Sequence, residues 1–232
     1  MPALDGRTVL VTGASTGIGR TTALMLAELG ATVLAGVRNT AAGEALGPTV
    51  RAVQLDITDP DDIAALDLSR LDALVNNAGI AISGPLEFLP VAELRHQLEV
   101  NVIAQLAVTQ ACLPALRASK GRIVNISSIA GRVAWANYGV YNMTKFGVNG
   151  FTEALRQEVT KKHVRVGVLE PGAVDTELVS HNNETVKSEL AASDAIAEPL
   201  QPDDIADNIA FMVTRPRRSS IAELWAMPTS QA

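Results

Sequence analysis

The stretch that most constrains this chain is the apolar run Val9-Leu10-Val11 with the turn that follows it, Thr12-Gly13-Ala14-Ser15-Thr16-Gly17-Ile18-Gly19. A periodic helical pattern then runs from Arg20 to Leu29. A strand that hands over to a helix through three glycines must turn sharply and leave its backbone bare. Bare amides at a helix N-terminus are suited to a pyrophosphate. Gly13 permits the turn, Gly17 lets the backbone approach the phosphates, and Gly19 lets the helix pack closely on the sheet. Ser15 and Thr16 add hydroxyl donors, and Ile18 completes the cofactor-facing loop.

The same alternation continues to the end of the chain. Strand-like runs fall near Thr8–Val11, Thr32–Val37, Val50–Leu55, Ala73–Asn76, Arg122–Ile126, Arg165–Leu169 and Ala222–Ala226. Helical patterns separate them near Gly17–Leu29, Pro60–Leu66, Val91–Ser119, Tyr138–Lys161 and Pro202–Thr214. Right-handed crossovers on one parallel sheet are the solution for such a pattern, giving an α/β, Rossmann-like, doubly wound sheet of about seven strands with helices on both faces. The composition agrees: 47% of residues are apolar but only 3% aromatic, so Val, Leu, Ile and Ala must fill an interior covered on both sides. No Pro-, Gly- or Ser-rich linker divides residues 1–232, which read as one domain. Two segments depart from regularity. The crossover between Arg38 and Val50 holds Gly43, Gly47 and Pro48 and must be short. The polar stretch Val174–Leu200 follows the sixth strand, where an open parallel sheet borders its ligand crevice, and reads as a lid.

The formal charge of −6 and the lack of a long basic tract do not suggest nucleic-acid binding. The local cluster Arg215-Pro216-Arg217-Arg218 reads as a solvated loop before the last strand. Cys112 is alone, which excludes an internal disulfide, and its neighbours Val108 to Leu116 make it an inert core thiol. No apolar run approaches the ~18 residues of a membrane span, and Met1 to Gly6 has no signal-peptide core. A cytoplasmic protein is expected. His96, His163 and His181 have no second ligand at metal spacing, so no metal site is argued. His181 lies in the lid and reads as a solvated loop residue.

Chemistry enters through Tyr141-Asn142-Met143-Thr144-Lys145, which sets a phenol and an ammonium four residues apart on one helix face. A phenol so placed can donate a proton to an oxygen that gains negative charge during a reaction. Its unperturbed pKa of about 10 is high for neutral pH, and Lys145 is expected to lower it.

Together with Asn76-Asn77-Ala78-Gly79 and Ser127-Ser128, these motifs in this order resemble the short-chain dehydrogenase/reductase family, in its compact single-domain branch. The resemblance runs from Gly6 to about Pro228. It implies that Ser128, thirteen residues before Tyr141, holds the substrate oxygen, with Ser127 the competing choice. It implies that Asn101 breaks the long helix and holds a water relayed to Lys145, or else is an ordinary buried helical Asn. Lys145 would also bond the nicotinamide ribose. Asp56 and Ile57 would meet the adenine, although Asp56 could equally cap the next helix. Asn77, Ala78 and Gly79 would line the adenosine ribose, while Asn76 ties strands together. Pro171, Gly172, Val174 and Thr176 would hold the nicotinamide carboxamide. The long helices 91–119 and 138–161 would pair subunits into a dimer or tetramer.

Which nicotinamide is bound depends on the end of the second strand. A chain preferring NAD(H) places a carboxylate there, but Val37 occupies that place, Arg38 follows it, and no carboxylate lies between Ala31 and Gly43. A guanidinium can grip a 2′-phosphate, so NADP(H) is expected, with a solvated surface Arg as the alternative. The leading expectation is an NADP-dependent oxidoreductase interconverting a ketone or aldehyde and an alcohol. A nucleotide-sensing protein without turnover, or an epimerase or lyase using the cofactor transiently, are the other readings. Val133, Trp135, Tyr138, Leu178 and Val179 would favour an apolar or aromatic substrate.

Overall fold

The structure, a computed structural model, describes residues 4–41, 46–178 and 198–231. Seven strands form one sheet: β1 Thr8–Thr12, β2 Thr32–Val37, β3 Val50–Gln54, β4 Ala73–Asn76, β5 Arg122–Ile126, β6 Arg165–Pro171 and β7 Glu223–Ala226. Their order is β3-β2-β1-β4-β5-β6-β7, and every pair is parallel. The helices that return the chain are α1 Gly17–Glu28, α2 Pro60–Ala64, α3 Val91–Leu98, α4 Gln105–Ser119, α5 Gly139–Val159 and α6 Pro202–Thr214. The short crossover helix expected between Arg38 and Val50 falls partly on residues outside those described, as does most of the lid.

Period-two alternation builds two cores, one on each face. Leu10 registers with Leu34 on one side and Leu74 on the other, and Leu74 with Ile123. These face Val100, Val108, Cys112 and Leu116 of the long helix and Leu155 and Val159 of α5. The alternate residues Val11, Ala35, Val75 and Val124 face Ala23 and Leu26 of α1 and Ile205 and Ile209 of α6. Each such leucine or isoleucine, fully withdrawn from water, contributes roughly 1.5–3 kcal/mol.

The helical stretch Val91–Ser119 is long and apolar enough to cross a membrane by length and composition. Here its apolar side packs on the sheet. A π turn, Glu99–Ala104, interrupts it between α3 and α4, at the residue expected to break the helix, Asn101. Asn101 Oδ1 accepts from the Ile80 amide at 2.9 Å, and its Nδ2 donates to Ile80 O at 2.8 Å and Thr144 Oγ1 at 3.2 Å. The chain leaving β4 is thereby fixed against α5.

Candidate active site

Because neighbours β1 and β4 carry their crossovers to opposite sides, a crevice opens where their C-terminal ends diverge. It is a cleft of about 360 Å³. Residues Gly13, Ser15, Thr16, Gly17 and Ile18 of the first turn line it, with Arg38, Asp56 and Ile57, and with Asn77, Ala78 and Gly79. Ser128, Tyr141, Lys145, Pro171, Gly172, Val174 and Thr176 line it as well. Asn101 and Gly19 stand behind this wall.

The turn is built for close approach. Gly13 has φ +63°, and a Cβ there would stand 2.8 Å from Ala78 Cα; a Cβ on Gly19 would collide with Gly13 O and Asn77 Nδ2. Asn77 stitches the β1 and β4 ends together, its Nδ2 donating to Thr12 O at 2.9 Å and Gly13 O at 3.2 Å. The N-terminus of α1 has no side-chain cap and no acid in its first turn, so its amides are free for an anion. These features fit a dinucleotide pyrophosphate. Val37 is buried and Arg38 is exposed at the cleft. Among the described residues, no hydrogen bond or ion pair engages the Arg38 guanidinium.

Asp56 does not cap α2; Asp59 does, accepting from Asp61 N at 2.9 Å. Asp56 Oδ1 accepts from Thr58 N at 2.9 Å and Thr58 Oγ1 at 2.7 Å. The Thr58 hydroxyl bond, with smaller help from Arg38 and His96, holds this carboxyl below its usual range. The capping alternative therefore falls, and Asp56 is a carboxylate at the cleft. Asn76 is the strand tie expected of it, donating to Asn125 Oδ1 at 2.9 Å and Thr109 Oγ1 at 2.8 Å.

At the other end of the cleft, Ser128 and Tyr141 lie close enough that the serine hydroxyl favours the phenolate. Ser128 Oγ also accepts from Ala130 N at 3.1 Å and reaches Pro171 O at 3.4 Å. The Ser127 hydroxyl turns away and donates to Lys145 O at 3.2 Å. Lys145 Nζ lies 5.7 Å from the Tyr141 ring centre and donates to Ile126 O at 2.9 Å. Burial pushes the ammonium down to about 8. The phenol goes the other way from the expectation. Burial raises Tyr141 to about 12 against the lowering effect of the nearby Ser128 hydroxyl, with a further rise from Tyr138. Desolvation outweighs Lys145 here because its ammonium faces a carbonyl and the ring, where its charge does little for the phenolate oxygen.

Sequence reasoning set His96 aside, yet it lines the cleft near Asp56. Val100, one helical turn on, lines it too, so the i, i+4 spacing sets the two on one helix face. Trp135, Tyr138 and Tyr141 form an edge-to-face series, with ring centres 6.5 Å and then 6.4 Å apart. Leu178 joins the lining, whereas Val179 and His181 lie outside the described residues. At the two ends of the segment expected to act as a lid, Asp175 N donates to Leu200 O at 2.8 Å and Leu200 N to Ala173 O at 3.0 Å.

A sequence profile of the short chain dehydrogenases matches residues 7–187. An uncharacterised oxidoreductase of Staphylococcus saprophyticus is 34% identical, over 97% of each chain. An NADP-dependent 3-hydroxy acid dehydrogenase of Schizosaccharomyces pombe is also 34% identical, over 100% of this chain and 96% of that one. The solved closed form of a serine dehydrogenase complexed with NADP+ superposes with a TM-score of 0.88 at 30% identity, covering 97% of this chain and 96% of the other. The chain belongs to the short-chain dehydrogenase/reductase family and is an oxidoreductase acting on CH–OH groups.

Proposed function

We propose that the chain is a single dehydrogenase domain that interconverts a ketone or aldehyde and an alcohol with NADP(H), using Tyr141 as general acid and base. The observation that carries this reading is the placement of Ser128, Tyr141 and Lys145 in the same cleft as the glycine turn. The turn from Gly13 to Gly19 would hold the pyrophosphate, Arg38 the 2′-phosphate, Asp56 and Ile57 the adenine, and Asn77 to Gly79 the adenosine ribose. Pro171, Gly172, Val174 and Thr176 would hold the carboxamide, with Lys145 on the nicotinamide ribose. When bound, the cofactor supplies or accepts the hydride.

The residues do the rest. The Ser128 hydroxyl orients the substrate oxygen and stabilises charge developing on it. Tyr141, kept protonated by burial, hands its proton to that oxygen during carbonyl reduction. Lys145 is positioned to stabilise the phenolate that remains, once its ammonium turns from Ile126 O. Asn101 is a positioning residue: both side-chain groups are taken by Ile80 and Thr144, the latter adjacent in sequence to Lys145.

The Trp135–Tyr138 edge and Leu178 favour an apolar or aromatic substrate. Ile103 and Phe146, on the two long helices, are each about half exposed, at 54% and 46%, which supports a homodimer or tetramer built on those helices. A lone, buried Cys112 suits a reducing cytoplasm. The test is a panel of aryl and alkyl carbonyls with NADPH and NADH, read by nicotinamide absorbance. One cofactor consumed per carbonyl reduced, faster with NADPH, is expected. Turnover of substrate without net cofactor consumption would overturn the reading in favour of an epimerase or lyase.

A further inference from the structure

At the end of the sheet opposite the cleft, the chain entering β1, β4, β5 and β6 surrounds a second cavity of about 200 Å³. Its wall carries Arg7, Lys120, Arg122, Arg165, Arg215 and Arg217, six cations, against Asp72 alone. Arg215 and Arg217 belong to the basic loop that reads as merely solvated in the sequence. Folding sets them against arginines delivered from two strand starts far away in the chain.

Part of this charge answers helix C-termini. Arg122 donates to Met212 O at 2.5 Å and Arg215 O at 2.8 Å, at the end of α6. Arg165 donates to Lys120 O at 3.1 Å and Arg215 O at 3.3 Å, and Arg217 to Ser119 O at 3.3 Å, at the end of α4. A helix terminus offers about half a charge, so these carbonyls leave most of the positive charge unbalanced. Asp72 cannot balance it either, since it is already divided between Arg7 at 2.7 Å and Arg70 at 3.2 Å. Arg165 Nε is buried and has no hydrogen-bond partner among the described residues. The crowding registers on the groups themselves. Burial, then repulsion from Arg165, Arg7 and Arg215, pushes the Arg122 guanidinium down to about 9. Burial, then Arg217 and Arg7, lowers Arg165.

We propose that this cavity binds a small phosphoryl oxyanion, with Arg122 and Arg165 in its wall and Lys120 and Arg217 at its exposed rim. Several guanidinium donors around one concave space match the three acceptor oxygens and multiple charge of a phosphoryl group. A monocarboxylate would bring no more charge than Asp72 already does. At about 200 Å³ the cavity suits a small anion rather than a polymer backbone. An anion there ties the ends of α4 and α6 to the strand starts, so it stabilises the fold without touching Tyr141.

The experiment is calorimetric titration of inorganic phosphate and of pyrophosphate at an ionic strength held constant with chloride. It is run on the wild type, Arg38→Ala, Arg217→Ala and Arg165→Gln, with melting temperatures for each. The wild type and Arg38→Ala are expected to bind pyrophosphate alike, more tightly than phosphate, and to melt higher with it. Arg217→Ala, an exposed position that should fold normally, weakens binding roughly tenfold, the loss of one charge-assisted contact. Arg165→Gln weakens it further. Absence of binding to the wild type overturns the proposal. So does binding left intact in both Arg217→Ala and Arg165→Gln, or lost only in Arg38→Ala, since the anion then sits elsewhere, as on the glycine turn or at Arg38 in the cofactor cleft.

Discussion

The two ends of this sheet handle buried charge in opposite ways. At the C-terminal end, Tyr141 and Lys145 are buried with few partners, and burial drives their proton affinities apart, up to about 12 for the phenol and down to about 8 for the ammonium. At the N-terminal end, Asp72 is buried with many partners: Arg7, Arg70 and the Thr8 amide. The first arrangement tolerates poorly solvated groups that can exchange a proton with a substrate. The second fixes a carboxylate and holds strand starts together. The under-partnered pair in the cleft serves the reaction, whereas the multiply bonded Asp72 serves stability. Substitutions at the two ends should therefore separate turnover from stability.

The largest separation is expected at Tyr141. Tyr141→Phe removes the hydroxyl and keeps the ring, so carbonyl reduction should fall by roughly 10²–10⁴-fold with cofactor affinity changed only a few-fold. Single-turnover absorbance and fluorescence titration measure the two. Retention of more than about a tenth of the rate would end the assignment. The raised phenol also sets a pH signature. Reduction uses the protonated form and should stay flat through neutral pH, whereas alcohol oxidation uses the ionised form and should climb steadily with pH.

Lys145→Met tests the cost of function directly. Burial lowers the ammonium from 10.5 to about 8, which corresponds to destabilisation on the order of 3 kcal/mol. Because the folded value lies below the unfolded one, the cost is complete below about pH 8 and fades as pH rises toward 10.5. Losing the donor to Ile126 O gives back about 1 kcal/mol. The variant should be inactive yet melt about 5 °C higher at pH 7, with the gain shrinking at pH 10. A lower melting temperature at pH 7 would mean that the bond to Ile126 O outweighs burial.

Much of this was legible in the sequence because strand and helix periods are local. β2, β4, β5 and α6 start and end where alternation and turn residues place them. The glycine turn, the Tyr141–Lys145 spacing and the break at Asn101 are also local signals. What the sequence could not give are quantities decided by tertiary surroundings. The upward shift of Tyr141 depends on which way the Lys145 ammonium points. The entry of His96 into the cleft depends on how the π turn rotates α3. The arginine cavity joins residues from 7 to 217, so no window of sequence contains it. Asp56 was ambiguous for a similar reason: Asp59, three residues later, competes for the same cap.

Arg38 probes the cleft at its exposed edge. Arg38→Ala should weaken NADPH by about 2 kcal/mol, roughly 30-fold, and leave NADH nearly unchanged, since NADH offers no 2′-phosphate. Val37→Asp should act in the opposite sense on NADH, giving the ribose hydroxyls an acceptor and repelling the phosphate. High salt should shrink the NADPH effect. Equal losses for both cofactors would show that Arg38 supports the loop or stacks on adenine. The cofactor preference would then fail while the oxidoreductase assignment stood.

The smallest effect, and the one that tests the stability half of the comparison, is at Asp72. Burial pushes its carboxyl up, but the Thr8 amide and the two arginines overcome that and hold it below the usual carboxylate range. A folded value below the unfolded 3.8 means a contribution present above that pH and lost as acid titrates the carboxylate. Asp72→Asn keeps the shape but removes the charge that partly balances the arginine cavity. It should cost about 1 kcal/mol at pH 7, lower the melting temperature by a few degrees and leave turnover intact. The difference from wild type should shrink as pH falls below the ordinary carboxylate range and the Asp72 carboxylate takes up its proton. Pyrophosphate should bind the variant more tightly, because the competing carboxylate is gone. A variant that loses turnover in proportion to stability would break the division between the two ends, since Asp72 would then be coupled through β4 to the cleft at Asn77.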